Sequence, residues 1–106
     1  MDAAIKEKWV KALRSGEYKQ GRCSLRDVTD CHCCLGVLCD LHGDKWDKLP
    51  DGSGWRYDGI GILYLPDSVR KWADIPLNEP HTSKLMGMND QGVPFAEIAD
   101  YIEVNL

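Results

Sequence analysis

The chain has 106 residues and a formal net charge of −4, with 43% hydrophobic and 28% charged residues, as in ordinary soluble globular proteins. Four Trp and four Tyr supply too much apolar surface for a disordered chain. The 17 Asp and Glu outnumber the 13 Lys and Arg, which argues against direct binding of nucleic acid. The sequence contains no run of about 20 apolar residues, the length that a membrane-spanning helix needs. This length predicts a single globular domain over residues 1–106.

The first predicted element is an amphipathic helix over about residues 3–15. Trp9 and Leu13 recur at helical spacing, with Lys and Arg on the opposite face, which is the pattern of a half-buried helix. Asp2 is the expected N-cap and Gly16 the expected C-terminal stop.

The next predicted elements are a short strand near residues 22–26, a turn from Asp27 to Asp30, and a buried helix. The run from Cys33 to Leu41 is almost wholly apolar, which favours a buried helix over about 32–42. Gly36 costs this helix roughly 1 kcal/mol relative to Ala, so we expect another element to approach closely there. A strand at 31–33, paired with 22–26, is also compatible.

Residues 44–59 are rich in Gly, Pro and Asp and predict a loop or hairpin. Further along the chain, the pattern indicates a short strand over 60–65 and a helix over 66–73, with Pro66 in its first turn. One helical turn is expected at 85–88. The last helix is predicted over about 94–104.

These elements predict an α+β fold, with three to four helices packed on a short antiparallel sheet. The sheet is expected to combine residues 22–26, 31–33 and 60–64. The predicted core consists of Trp9, Leu13, Cys34, Leu38, Phe95, Ile98 and Ile102.

Charge is distributed unevenly along the chain. Residues 1–22 carry six basic and three acidic residues, whereas residues 84–106 carry one basic and four acidic residues. A basic first helix and an acidic last helix attract each other within the fold or present opposite faces to a partner. A solvated surface of mixed charge is the competing interpretation.

Five cysteines and two histidines crowd the first half of the chain, and they suggest a candidate metal site. Tetrahedral zinc takes four ligands, commonly in two close pairs. Cys31 with Cys34 and Cys39 with His42 are the candidate pairs. All four lie in or beside one helix, where only residues three or four apart lie together. Buried structural thiols are therefore the competing interpretation, and no cofactor is the default expectation.

Catalysis by a thiol would need a base and an orienting group beside the cysteine. His32, His42 and His81 are the available bases. A cysteine in the apolar run would be buried and unreactive. The sequence therefore favours a protein that is not an enzyme, and a small-ligand binder or enzyme of unknown chemistry stays an alternative.

Four stretches resemble a group of small uncharacterised proteins of tailed bacteriophages and prophages: Trp9–Gly21, Cys33–Asp40, Leu65–Trp72 and Met88–Glu103. The resemblance spans nearly the whole chain but carries no established activity. It implies cysteines at 33, 34 and 39 and not at 23 and 31, so any metal or redox role of the two extra thiols would be peculiar to this chain.

The resemblance implies a phage accessory protein in the cytoplasm of the bacterial host. Such a protein is expected to act by binding a host protein, with inhibition of a defence system such as a CRISPR complex as one mode. The expected contact residues are aromatic and acidic side chains in the Gly/Pro-bounded middle section, because aromatic residues anchor interfaces. They are Trp46, Trp55, Tyr57 and Asp58. A small zinc-stabilised module is the remaining alternative.

Overall fold

The structure, a computed structural model, describes residues 1–106 as five helices and a two-stranded antiparallel sheet. The elements are α1 (Ala3–Arg14), α2 (Cys34–His42), β1 (Trp46–Lys48), β2 (Trp55–Tyr57), α3 (Asp67–Trp72), α4 (His81–Asp90) and α5 (Phe95–Asn105). The predicted α+β class is confirmed, with more helices than expected. None of the helices is long and apolar enough to span a lipid bilayer.

Helix α1 begins and ends where its capping residues predict. The Asp2 carboxylate accepts a hydrogen bond of 2.9 Å from the backbone N–H of Ile5. Gly16 follows the C-cap with a positive φ of 77°, a conformation that glycine adopts without steric cost. Trp9 and Leu13 on the inner face are buried.

Helix α2 is the centre of the core, and Gly36 allows the chain to cross it closely. A Cβ atom at Gly36 would lie 1.8 Å from the carbonyl oxygen of Leu25. That separation is far inside van der Waals contact, so only glycine fits. The expected close approach is therefore confirmed, and the approaching segment is the irregular chain around Leu25.

The sheet differs from the predicted one. Strands β1 and β2 form a hairpin in which Trp46 faces Tyr57. The predicted strands at 22–26, 31–33 and 60–64 are wrong. These segments meet only at isolated bridges and single hydrogen bonds, such as that from Leu25 N to Ile62 O at 2.8 Å. Because they cross at single points, no continuous ladder forms between them.

Helix α4 is longer than the single turn predicted from its sequence. The carboxylate of Glu79 accepts hydrogen bonds from the backbone N–H groups of His81 and Thr82, at 2.6 and 2.9 Å. These bonds satisfy donors that the first turn leaves unpaired. Helix α5 begins one residue after the predicted start and buries its apolar stripe.

One hydrophobic cluster of 19 buried residues joins the helices, and every predicted core residue belongs to it. Helix α1 packs mainly against α5. At their edge, the Arg14 guanidinium pairs with Asp100 at 2.7 Å and with Glu103 at 3.0 Å. The basic first helix and the acidic last helix therefore attract each other within the fold, which was one of the three expectations.

Candidate functional site

The four predicted partner-binding residues lie on the hairpin, but they are not equally accessible. Trp46 and Trp55 are half-buried, and Asp58 is exposed and accepts a hydrogen bond of 2.6 Å from the Ser68 hydroxyl. Tyr57 is completely buried. Its hydroxyl shares a hydrogen bond of 2.7 Å with Nδ1 of His42. Tyr57 is therefore a core residue and is unavailable to a partner.

The indole of Trp55 is covered by cations of the same chain. The Arg26 guanidinium lies 3.8 Å from the centre of the Trp55 ring, and the Lys48 amine lies 5.3 Å from it. Arg26 also pairs with Asp30 at 2.5 Å. These cation–π contacts cover part of the Trp55 ring with side chains of the same protein, so less of the ring is free to contact another molecule.

The largest run of exposed apolar side chains follows the hairpin at residues 60–64, called here the apolar segment. Ile60 is 73% exposed and Tyr64 is 69% exposed, and the two residues at 62 and 63 are also exposed. Gly61 is buried between them. The segment borders a groove of about 500 Å³. The sequence predicts a short strand over residues 60–65, whereas the structure presents the large side chains of residues 60–64 to solvent.

The backbone of the apolar segment is held in place while its side chains project outward. Tyr57 and Gly61 exchange two backbone hydrogen bonds, at 2.7 and 2.9 Å. A Cβ atom at Gly61 would lie 2.6 Å from Cγ of Pro66, so the chain packs tightly there. The backbone is therefore fixed in the first half of the segment, around Gly61.

A second concave site, called here the acidic cleft, lies between the chain after α1, the 26–32 turn and the end of α2. Its volume is about 620 Å³. Single backbone contacts assemble it: His32 donates to Lys19 O at 2.9 Å and accepts from Gly21 N at 2.8 Å. The side chains that define the cleft are those of Glu17, Tyr18, His32, Asp40, Asp44 and Trp46.

Asp40 organises one wall of the acidic cleft. Its two carboxylate oxygens accept one hydrogen bond each, from the Tyr18 hydroxyl at 2.5 Å and from Nε1 of Trp46 at 3.1 Å. Burial and the bond to Asp40 raise the pKa of Tyr18 above its usual value. Tyr18 is therefore a neutral donor under ordinary conditions.

His32 forms the buried part of the same wall. It is only 7% exposed and lies edge-on to the rings of Tyr18 and Trp46, with centroids 5.2 and 5.8 Å away. Burial lowers the pKa of His32, although the negative charge of Asp40 opposes that shift. The ring is therefore neutral at pH 7. Its Nδ1 is buried and has no hydrogen-bond partner.

The four predicted zinc ligands do not converge. Cys34 and Cys39 are buried in α2, and residues five apart on a helix point about 140° away from each other. His42 is hydrogen-bonded to Tyr57, and Sγ of Cys31 lies 3.4 Å from the oxygen of the Thr29 hydroxyl, which donates its proton to Asp27. No group of three or more His, Cys, Asp and Glu side chains is placed to hold a metal ion.

The cysteines on and beside α2 are buried thiols. All five cysteines are unpaired. Burial raises the pKa of Cys33 to about 11 and also raises the pKa of Cys34 and Cys39 above the usual value of a thiol. Because the thiolate is the nucleophile, these three groups are poor candidates for covalent chemistry.

The three histidines occur in three separate arrangements. His32 contacts the ring of Tyr18, His42 bonds to the hydroxyl of Tyr57, and His81 bonds to the hydroxyl of Tyr101 at 2.9 Å. The three histidines therefore contact three different tyrosines, and none of them is hydrogen-bonded to a thiol. This arrangement offers no nucleophile–base pair.

Comparison with models of protein families shows which family the chain belongs to. A family model described as a domain of unknown function, DUF8296, matches residues 1–106. The chain belongs to the DUF8296 family. No curated protein and no solved structure matches it. The DUF8296 assignment covers the apolar segment and the acidic cleft but assigns no activity to either.

Proposed function

We propose that the protein is a phage or prophage accessory protein that binds a host protein in the bacterial cytoplasm. Inhibition of a host defence complex is one form that this binding would take. The resemblance of the Trp9–Gly21 and Met88–Glu103 stretches to phage proteins supports the origin. The exposed apolar segment, residues 60–64, is the observation that supports the binding.

The exposed side chains of the apolar segment lose contact with water when a partner covers them. Large apolar groups in contact with water are costly, and burying them contributes about 25 cal/mol per Å². Clusters of such groups commonly mark interaction surfaces. Because the Tyr57–Gly61 hydrogen bonds already fix the start of the segment, less conformational entropy is lost there when a partner covers it.

The chemistry of the surface indicates the kind of partner. Asp58 and Asp67 are exposed and line the groove beside the apolar segment, and the chain has a net charge of −4. A matching protein surface would carry an apolar patch bordered by Lys or Arg, because complementary charge favours encounter and correct orientation.

In-cell photo-crosslinking tests this proposal. A photoreactive p-benzoylphenylalanine is placed at position 64 in one strain and at position 104 in another, since Val104 is also highly exposed, at 83%. We expect position 64 to crosslink to one host protein, at an apolar site bordered by basic residues, and position 104 not to do so.

Two results would overturn the proposal. One is crosslinking of position 64 only to other copies of the same chain. The other is an identical set of products from positions 64 and 104, because that would mean that exposure alone determines the contacts.

A further inference from the structure

The two edges of the β1–β2 hairpin differ in their hydrogen bonding. The outer edge of β2 is occupied, because the N–H of Trp55 donates to Arg26 O at 3.2 Å, and Tyr57 and Gly61 exchange two backbone hydrogen bonds. Strand β1 pairs with β2 and with no other segment of the chain. β1 is therefore an open edge, which is a template for pairing with a further strand.

The register of the hairpin shows which backbone groups of β1 are free. Lys45 O and Leu49 N are both hydrogen-bonded across the hairpin, at 2.8 and 2.9 Å. Since alternate residues of an antiparallel strand face its neighbour, Trp46 and Lys48 direct their N–H and C=O groups away from β2. None of these groups has a backbone partner elsewhere in the chain. An added strand would therefore bond to Trp46 and Lys48.

The sequence around β1 is complementary in charge to its own antiparallel copy. Residues 44–48 read Asp-Lys-Trp-Asp-Lys. When Trp46 lies opposite Trp46 of a second copy, Asp44 lies opposite Lys48, and Lys45 lies opposite Asp47. Every charged position then faces an opposite charge, which stabilises a pair of strands, whereas like charges directly opposite destabilise it. Centring the pairing on Lys45 or on Asp47 would instead place two like charges opposite each other.

The charged side chains of this stretch are accessible. Asp44, Lys45 and Lys48 are exposed, and none of the three forms an ion pair within the chain. Asp47 is half-buried and already pairs with Arg56 at 2.5 Å. The two contacts between Asp44 and Lys48 would therefore supply most of the ionic attraction. Lysine on an edge strand commonly opposes pairing, but in this register each lysine meets an aspartate.

We propose that β1 pairs antiparallel with β1 of a second copy of this chain, with Trp46 on the two-fold axis. The free N–H and C=O groups of Trp46 and Lys48 supply the hydrogen bonds, and the alternating charges select the register. The same patch of both copies forms the contact, as in most homodimers. Because each copy contributes one short strand, the dimer is expected to be weak, with a Kd of about 1 μM to 1 mM.

Reversal of one charge on either side of the predicted contact tests the register. Sedimentation velocity at increasing concentration, up to about 1 mM, measures the dimer. We expect Asp44→Lys and Lys48→Glu each to weaken the dimer at least about tenfold, because each places like charges opposite each other twice. An equimolar mixture of the two variants should recover association, since the lysine introduced at position 44 then meets the glutamate introduced at position 48.

Two control variants locate the contact. Lys84 is exposed on α4, and Lys84→Glu makes the same change of charge away from β1. Tyr64→Asp alters the apolar segment, which the dimer does not use. Both variants should dimerise like the wild type. Loss of the dimer in Tyr64→Asp would instead mean that the copies associate through the apolar segment, and that result would overturn the proposal.

Hydrogen exchange of the native protein tests the backbone contact directly. The N–H groups of Trp46 and Lys48 should exchange fast in dilute solution and become protected as the concentration rises, because the second copy supplies their missing acceptors. A monomer at every concentration would contradict the proposal. Unchanged exchange of both N–H groups in the dimer would also contradict it, as would a mixture of Asp44→Lys and Lys48→Glu that associates no better than either variant alone.

Discussion

At the scale of single residues, burial divides the five cysteines into two groups. Cys33, Cys34 and Cys39 are buried, whereas Cys23 is exposed and Cys31 is partly exposed. The apolar run around Gly36 predicts the buried group, because an uninterrupted apolar helix has no solvent-facing side.

Thiol labelling of the native protein with a disulfide reagent near pH 8 should follow this division. We expect Cys23 to react fast and Cys31 more slowly, and the three buried thiols to react only after denaturation, because burial raises their pKa. Cys23→Ser should remove the fast phase. Persistence of a fast phase in Cys23→Ser, at unchanged stability, would contradict the assignment.

His32 makes the stability of the fold depend on pH. Its pKa is lowered in the folded protein by burial, whereas an unfolded histidine takes up its proton near pH 6.5. Below that pH the unfolded state binds more protons, so the free energy of unfolding should fall as the pH is lowered from 7 to 5. Carboxylates titrate mainly below this window.

Urea denaturation at pH 7 and pH 5 measures this loss. In His32→Phe, which keeps an aromatic ring among Tyr18 and Trp46 but cannot be protonated, the loss should be smaller. Burial and then Lys45 also lower the pKa of His42. His42 therefore contributes to the loss in free energy of unfolding in both proteins. An equal loss in the wild type and His32→Phe would show that His32 does not titrate below its normal value.

Several polar contacts join residues that are far apart in the chain, so they could not be predicted from the local sequence. Asn89 is completely buried and bonds to Cys34 N and Gly21 O, which are 55 and 68 positions away in the chain. The run from Asn89 to Gly92 is typical of a turn and gives no sign of this burial. The bond of Tyr18 to Asp40 likewise spans 22 positions. Such pairings depend on tertiary contacts that leave no periodic signal.

At the scale of elements, helices with strong apolar periodicity were predicted well and strands were not. α1 and α5 each carry an apolar stripe and defined ends. The strand at 60–64 was wrong because pairing depends on a distant partner, and here that partner offers a single hydrogen bond. α4 was underestimated because its start is held by Glu79, which is not a common capping residue.

Two glycine-to-alanine substitutions in helices test the packing at Gly36. Gly36→Ala should destabilise the protein by about 2 kcal/mol or more despite better helix propensity, because the new methyl group meets Leu25 O. Gly87→Ala in α4 has open space around the added Cβ and should stabilise it by about 0.5–1 kcal/mol.

Thermal or urea unfolding of the two variants gives the comparison. Gly87→Ala reports helix propensity alone, so the difference between them isolates the cost of the contact. If Gly36→Ala were as stable as Gly87→Ala, the segment around Leu25 would not cross α2 as described.

At the scale of the whole molecule, one core supports two surfaces with different chemistry. The apolar segment at 60–64 presents exposed aliphatic and aromatic side chains, and the acidic cleft presents carboxylates beside Tyr18 and Trp46. Aromatic composition correctly directs attention to the middle of the chain. It does not reveal which of these residues are exposed, because exposure depends on tertiary neighbours: Tyr57 is buried, whereas Tyr64 is not.

The most direct test of partner binding is the affinity of the host protein captured at position 64 for three purified forms of this chain. We expect Tyr64→Asp to weaken binding at least about tenfold, as the loss of a central interface anchor does. Val104→Asp, which places the same charge at another exposed apolar position, should bind like the wild type. Equal affinities of Tyr64→Asp and the wild type, with both folded, would contradict binding through the apolar segment.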